Sequence, residues 1–315
     1  MQQSKTLAGL TISVVGGDDR ELILIPALVE QGAAVRVVGF PDISFPGAVV
    51  YGELAPALEG AEVVIFPVPG TDERGQIYAV YSPSPLRLND EIAARIAPGT
   101  LVFIGQARPF LRQWALRYGW KLVETAQEDE VAVLNSVPTA EGAIQLAMQE
   151  LPITIHGAQA LVLGFGRVGQ TLARDLLGLG ARVTVLDRNP AVLARAFVLG
   201  CQPVPLALLP EEVVKAEVIF NTIPALVLDA RTLTKVPHRT VIIDLASPPG
   251  GTDFEAAARL GLRAILAPGL PGKVAPYTAG TILARVIPRL IRERLGPDPL
   301  PEDRWGGANR ALAGG

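Results

Sequence analysis

The sequence predicts an α/β protein made of two doubly wound parallel-sheet domains with a cleft between them. Short runs of β-branched and aliphatic residues alternate with helical patterns along most of the chain. Both halves open on the same strand–turn–helix–strand spacing. The length, 315 residues, is enough for two separate hydrophobic cores.

In the first half the expected strands are Thr11–Val15, Val35–Phe40, Glu62–Pro67, Leu101–Gly105 and Lys121–Thr125, with helices over Arg20–Gln31, Asp90–Ala97 and Pro109–Tyr118. A helix from Thr139 to Glu150 leads into Ala160–Leu163, the first strand of the second half. Strands Arg182–Leu186, Val218–Asn221, Val241–Asp244 and Arg263–Leu266 follow. The expected domains are 1–138 for substrate and catalysis and 139–277 for a dinucleotide. The helix near 278–295 is expected to return to the first domain, carrying Ile282, Val286 and Leu290 on its apolar face and bending near Pro288. A flexible tail is expected over 296–315, where Gly, Pro and Ala replace any periodicity.

The two opening units differ in their turns. Gly16 aligns with Gly164, Gly32 with Gly180, and Val35 with Val183. The second turn reads Gly164-Phe165-Gly166-Arg167-Val168-Gly169, between a strand and a helix expected over Gln170–Leu179. That is the context in which a glycine fingerprint binds pyrophosphate, and it makes the domains Rossmann-like. The first turn reads Gly16-Gly17-Asp18-Asp19-Arg20-Glu21. Carboxylates there repel a pyrophosphate and take the positive helix end themselves, and the Asp18–Asp19 pair reads best as a helix cap. Only the second half is expected to bind the dinucleotide.

Asp187, at the end of the next strand, is placed to bind the ribose hydroxyls of NAD, while Arg188 is placed to stack on adenine, pair with the 2′-phosphate of NADP or simply face solvent. Asn221-Thr222-Ile223-Pro224 and Asp244-Leu245-Ala246 end two further strands, where ligands collect in such sheets. Asn221 and Asp244 read equally well as loop caps. Pro268-Gly269-Leu270-Pro271-Gly272-Lys273 is expected to be a rigid loop walling the nicotinamide.

Composition narrows the class. A net charge of −3 argues against nucleic acid or an anionic membrane surface as partner, and no apolar stretch reaches membrane length. One cysteine, Cys201, leaves no internal disulfide and no thiolate metal cluster, so no metal is expected and the compartment is expected to be reducing cytoplasm. The two histidines, His156 and His238, read as a packing and a surface residue.

The runs Asn135-Ser136-Val137-Pro138-Thr139-Ala140-Glu141-Gly142, Thr154-Ile155-His156-Gly157-Ala158, Gly164–Gly169, Asn221-Thr222-Ile223-Pro224-Ala225-Leu226-Val227, Asp244–Asp253 and Pro268–Gly272 together resemble the dipicolinate synthase A-subunit family. The likeness runs from Val14 to about Leu295. It implies an oxidoreductase that acts on 4-hydroxy-tetrahydrodipicolinate, a cyclic dicarboxylate, to make the dipicolinate of spores. It also implies NADP as cofactor and a smaller, flavoprotein-like second subunit. Asp187 departs from an NADP site, so the nicotinamide stays open.

A dicarboxylate needs cations or free helix amides. Pro138-Thr139 reads as a helix start, its amides assisted by Asn135, Ser136 and Thr139, or as an ordinary capped helix. Gly70 and Thr71, in a strand-end loop, and Arg108, in the loop after Leu101–Gly105, are further substrate candidates, with Arg74 weaker. Lys273, Glu141 and Asn135 are the candidate catalytic groups, although helix stabilisation explains Glu141 equally well. A homo-oligomer is expected. Competing readings are a dehydrogenase of another small acid and a non-catalytic dinucleotide sensor.

Overall fold

The structure, a computed structural model, describes residues 7–296. The expected tail therefore lies, beyond Gly296, outside the described residues. The chain forms two compact units, one holding residues up to Glu128 together with those from Gly280 onward, the other Asp129–Ala279.

The first unit runs β1 (Thr11–Val15), α1 (Glu21–Glu30), β2 (Ala34–Val38), β3 (Ala48–Tyr51), α2 (Leu54–Leu58), β4 (Val63–Ile65), α3 (Asp90–Ala93), β5 (Leu101–Ile104), α4 (Pro109–Tyr118) and β6 (Lys121–Glu124). Its six strands lie in the order β3-β2-β1-β4-β5-β6, and all neighbours are parallel. Helix α4 shows how local sequence sets the ends: Pro109 occupies its first turn and Gly119 closes it at φ +71°.

The second unit runs α5 (Asp129–Glu150), β7 (Gln159–Leu163), α6 (Arg167–Gly178), β8 (Arg182–Asp187), α7 (Pro190–Val198), β9 (Gln202–Pro205), α8 (Leu209–Glu212), β10 (Val218–Asn221), α9 (Ala230–Leu233), β11 (Val241–Asp244), α10 (Phe254–Arg259), β12 (Arg263–Leu266) and α11 (Leu270–Val274). The strand order β12-β11-β10-β7-β8-β9 is the first order repeated, with β7 in the place of β1. The repeat read from Gly16 and Gly164 is thus a repeat of topology. Alternate residues of each strand face opposite sides, so Ala160 and Val162 pack under α5, α6 and α7 while Leu161 and Leu163 face α8, α9 and α10. Leu172 and Leu176, fully buried on α6, each contribute about 2 kcal/mol of apolar burial.

Helix α12 (Pro276–Leu295) follows. From Gly280 it belongs to the first unit, where Gly280 lies against the Arg20 carbonyl and Ile23 so closely that a Cβ would come within 2.8 and 2.9 Å. Ile282, Val286 and Leu290 are buried.

Three expectations change. The helix expected from Thr139 begins at Asp129 and carries Pro138 in its interior. The expected loop Leu270–Lys273 is helical, as α11. Edge strands β3 and β9 and helices α2, α7, α8, α9 and α10 are additional to the elements that the sequence pattern marks. Val49 and Val50 of β3 are both exposed, which removes the alternation that marks a strand, and β9 contains Pro203 and Pro205, tolerated only because it is an edge.

Candidate functional site

The glycine turn of the second unit is built so that each glycine has a different cause. Gly164 leaves β7 at φ +85°, and a Cβ there would sit 2.6 Å from Thr222 Oγ1. A Cβ on Gly169 would collide with the Gly164 carbonyl oxygen, so this glycine lets α6 pack on the turn. Gly166 is exposed, has an ordinary φ of −77°, and a Cβ there would meet nothing within 4 Å. No contact among the described residues requires glycine at this position. It also caps α6 without any side-chain acceptor, leaving the first amides of a twelve-residue helix facing open space. A dinucleotide pyrophosphate fits this cradle, and the Gly166–Gly169 backbone could hold it.

The rest of the fingerprint supports the turn from below. Phe165 puts its ring in the core, and its amide donates to Asp187 Oδ2 at 3.2 Å. Asp187 Oδ1 accepts from the Asn189 amide at 2.9 Å, so the carboxylate is tied to both the glycine turn and the start of α7. Arg188 beside it is exposed. Arg167 reaches Asp129 at 2.8 Å in an exposed ion pair, and Val168 is half-buried.

The loops after β10 and β11 are held differently from the cofactor-contact reading. Asn221 and Asp244 are fully buried and bond to each other, Nδ2 to Oδ1, at 3.0 Å. Asn221 also donates to the Ile223 carbonyl and accepts from the Ile223 amide. Asp244 accepts from the Ala246 amide, the Gly251 amide and the Thr252 hydroxyl. With their polar atoms engaged inside the loops, both side chains organise backbone and do not reach for a ligand. Thr222 Oγ1 donates to the Leu163 carbonyl at 2.9 Å and backs the glycine turn. What these loops offer a cofactor is Ile223, Pro224, Leu245 and the peptide backbone, while Ala246 is buried. Pro268 and Gly269 lead into α11, whose Leu270 and Val274 press on Gly142 of α5, where a Cβ would lie 3.0–3.2 Å from them. Lys273 is an exposed helical residue.

Helix α5 corrects the expected substrate-binding helix start. Because it is continuous through Pro138, no free amides exist at Thr139, whose hydroxyl instead donates to the Asn135 carbonyl one turn back, at 2.7 Å. Ser136 is buried and hydrogen-bonds Thr171 Oγ1 of α6 at 2.6 Å. Asn135 Oδ1 is buried without a partner. Helix α5 starts beside Arg167 and runs along α6, so Glu141 lies well down that helix, exposed in a groove with Met148, Arg174 and Leu179. It is not held at the strand ends, and nothing there desolvates it. The histidines are also remote. His156 packs over Gly180, and His238 is an exposed turn residue.

In the first unit the corresponding turn is filled from within. Glu21, 1% exposed, turns its carboxylate back so that Oε2 accepts from the Asp18 amide at 2.7 Å and covers Gly17. Burial pushes this carboxyl up to about 7. Asp18 caps the Arg20 amide and forms a two-point ion pair with the Arg20 guanidinium, 2.8 Å at each contact. Tyr81 donates its hydroxyl to Asp19, which raises that hydroxyl to about 12. The Gly17 amide is taken by the Tyr78 carbonyl at 2.8 Å. Carboxylates oppose a phosphate here, as the sequence suggests, but the decisive occupant is Glu21, together with a loop around Tyr78 that sequence alone does not place.

Gly70, Thr71 and Arg108, distant in sequence, do come together. They line one cavity of about 320 Å³ with Asp72, Gln76 and Tyr78, and Arg108 Nε donates to the Thr71 carbonyl at 3.2 Å. Arg74 contributes only its amide, to Asp72. No helix is long and apolar enough to cross a membrane, and no cluster of metal-ligating side chains exists among the described residues.

Two doubly wound sheets, one with an open glycine cradle, define a dinucleotide-binding protein of the oxidoreductase type. The family model for the N-terminal domain of the dipicolinate synthase A-subunit matches residues 11–126, and that for the alanine dehydrogenase/PNT C-terminal domain matches 135–293. The dipicolinate synthase A-subunit of Bacillus subtilis is 42% identical over 91% of this chain and 97% of its own. The crystal structure of the Bacillus halodurans A-subunit superposes with a TM-score of 0.88 at 38% identity, over 93% of this chain and 99% of that one. The Bacillus subtilis structure gives 0.85 at 41%, over 91% and 97%. The chain belongs to the dipicolinate synthase A-subunit family.

Proposed function

We propose that the protein is an NAD(P)-dependent oxidoreductase that converts 4-hydroxy-tetrahydrodipicolinate into pyridine-2,6-dicarboxylate, together with a flavoprotein-like second subunit. The single observation that carries the redox part is Gly166: an exposed glycine with ordinary backbone angles, open space where its Cβ would be, and an uncapped helix behind it. The identity with A-subunit relatives over nearly the whole chain supports the substrate and the need for a partner.

The overall change balances simply. Loss of the 4-hydroxyl as water leaves a dihydropyridine, and removal of one hydride and one proton leaves the aromatic ring. Bound nicotinamide supplies the hydride acceptor. The chain's own task is to bind and orient, because aromatisation makes the oxidation downhill. The Gly166–Gly169 amides would hold the pyrophosphate, Asp187 would face the adenosine ribose, and Ile223 and Pro224 offer an apolar surface. Glu141, Lys273 and the two histidines are exposed to solvent, and the released proton passes to water.

The test is to mix the chain with freshly generated hydroxy-tetrahydrodipicolinate and each nicotinamide, with and without the second subunit. Pyridine absorbance and reduced-cofactor absorbance should rise together. Dinucleotide binding with neither signal, even with the partner present, favours a non-catalytic sensor. A reduced-cofactor signal with another small acid alone favours a different dehydrogenase.

A further inference from the structure

We infer that the cavity at the strand ends of the first unit, walled by Gly70, Thr71, Tyr78 and Arg108, is a binding site for the carboxylate of a planar ring acid. The site follows from its own geometry; only the choice of a pyridine acid as ligand rests on the proposed reaction.

Its position is the first argument. The strand order reverses direction between β1 and β4, and the cavity is formed by the loops that leave β4 and β5, where open α/β sheets collect ligands. In the first unit the phosphate turn beside β1 is closed by Glu21 and by Tyr78, whereas the crevice is open on the β4–β5 side. The volume, about 320 Å³, is at the small end of the range for small-molecule sites, about 300–1,000 Å³.

Its chemistry is the second. Arg108 is fixed through Nε to the Thr71 carbonyl and forms no ion pair among the described residues, so its two terminal nitrogens remain for a forked bond to a carboxylate. Thr71 is 4% exposed, and its hydroxyl has no partner. A buried donor without an acceptor is unusual in a folded protein, and a bound carboxylate oxygen would satisfy it. Asp72 also lines the cavity, but its Oδ1 is committed to the amides of Arg74 and Gln76, at 2.9 and 2.8 Å. Its charge is therefore partly met before a ligand arrives.

Its shape is the third. Tyr78 is held on both sides by backbone, its amide donating to the Gly70 carbonyl at 3.0 Å and its carbonyl accepting from Gly17, while its side chain is 42% exposed on the cavity wall. An exposed aromatic side chain lining the same cavity as a guanidinium suits a flat ring bearing a carboxylate. Gly70, at φ +71°, brings the loop so close to β5 that a Cβ would press on Ile104 and the Gln106 carbonyl at 3.2–3.3 Å.

Calorimetric titration of the full chain with pyridine-2,6-dicarboxylate, pyridine-2-carboxylate and unsubstituted pyridine tests this. Both acids should bind and pyridine should not. Arg108→Gln should weaken the acids by about tenfold or more, and Thr71→Val by a smaller factor that Thr71→Ser restores. Reduced-dinucleotide affinity should stay the same in all three variants, and far-ultraviolet circular dichroism melts matching wild type show that both units are folded. Acids that bind wild type and Arg108→Gln equally, or a wild type that binds dinucleotide but neither acid, overturn the site. Acid binding without dinucleotide binding would leave the site standing and remove the cofactor reading.

Discussion

Glu21 and Asp18 close the first glycine turn between them: the Glu21 carboxylate accepts from the Asp18 amide at 2.7 Å, in the space where the second unit leaves Gly166 bare. One turn is thus filled by a side chain of its own, and the other is left open to a ligand. The functional asymmetry of two folds with the same strand order rests on this exchange.

Glu21 makes the first prediction. Burial holds its carboxyl up at about 7 in the folded protein, against 4.5 for the unperturbed group, with Asp18 adding to the shift and Arg20 opposing it. A carboxyl raised on folding binds its proton more tightly in the folded state. Its contribution is therefore complete below about pH 4.5 and is lost as the pH rises through 7, with a total on the order of 3 kcal/mol. Glu21→Gln keeps an acceptor for the Asp18 amide but cannot ionise. Denaturant melts of both proteins from pH 4.5 to 8 should show the wild type losing stability relative to the variant. Parallel curves would mean that Glu21 is not buried as described.

Gly169 separates packing from binding. An alanine there collides with the Gly164 carbonyl, so Gly169→Ala should cost about 1–3 kcal/mol through forced backbone movement. It should also weaken dinucleotide binding, because the turn itself shifts. Unaltered thermal stability would show that α6 packs less tightly than the structure has it.

Asp187→Ala should raise the affinity for NADP relative to NAD by about tenfold, since a carboxylate near the ribose opposes a 2′-phosphate. The ratio is the right readout, because Asp187 also accepts from the Phe165 amide and absolute affinities for both cofactors should fall. A constant ratio across parallel titrations would place the carboxylate away from the ribose.

Asp244 is predicted to act on stability first. It accepts from Asn221, Ala246, Gly251 and Thr252, so Asp244→Ala leaves several buried donors without an acceptor. Each such loss costs about 1–3 kcal/mol. A substantial drop in melting temperature should therefore accompany any loss of activity. Lost activity with unchanged melting would instead mark Asp244 as a direct ligand.

What the sequence shows and what it hides divide along physical lines. Local chemistry is legible: the glycine fingerprint, the acids in the first turn and the strand ends around them are set by neighbouring residues, and the structure has them where that chemistry puts them. Long-range packing overrides local signals elsewhere. Pro138 after Asn135-Ser136 reads as a helix start, yet it is buried in the middle of α5, which packs on α6. The Leu270-Pro271-Gly272 run reads as a loop, but Leu270 and Val274, four residues apart, meet the bare backbone of Gly142 and make one helical face. The union of Thr71 with Arg108 is within reach of the sequence, since both sit in loops at strand ends. The inward turn of Glu21 is the reach-back of a capping box over Asp18–Glu21, a local pattern, whereas the Tyr78 loop depends on contacts between segments far apart in sequence.

The central claim is that this chain carries one dinucleotide site, at the second glycine turn. Fluorescence titration of reduced nicotinamide dinucleotides into wild type and Gly166→Asp tests it most directly. The position is open and its backbone angles are ordinary, so the variant should fold with an unchanged melting temperature. Wild type should bind one equivalent per chain, and the variant should lose at least about 100-fold in affinity because a carboxylate meets the pyrophosphate. Full binding by the folded variant, or a second equivalent bound by wild type, would contradict the account.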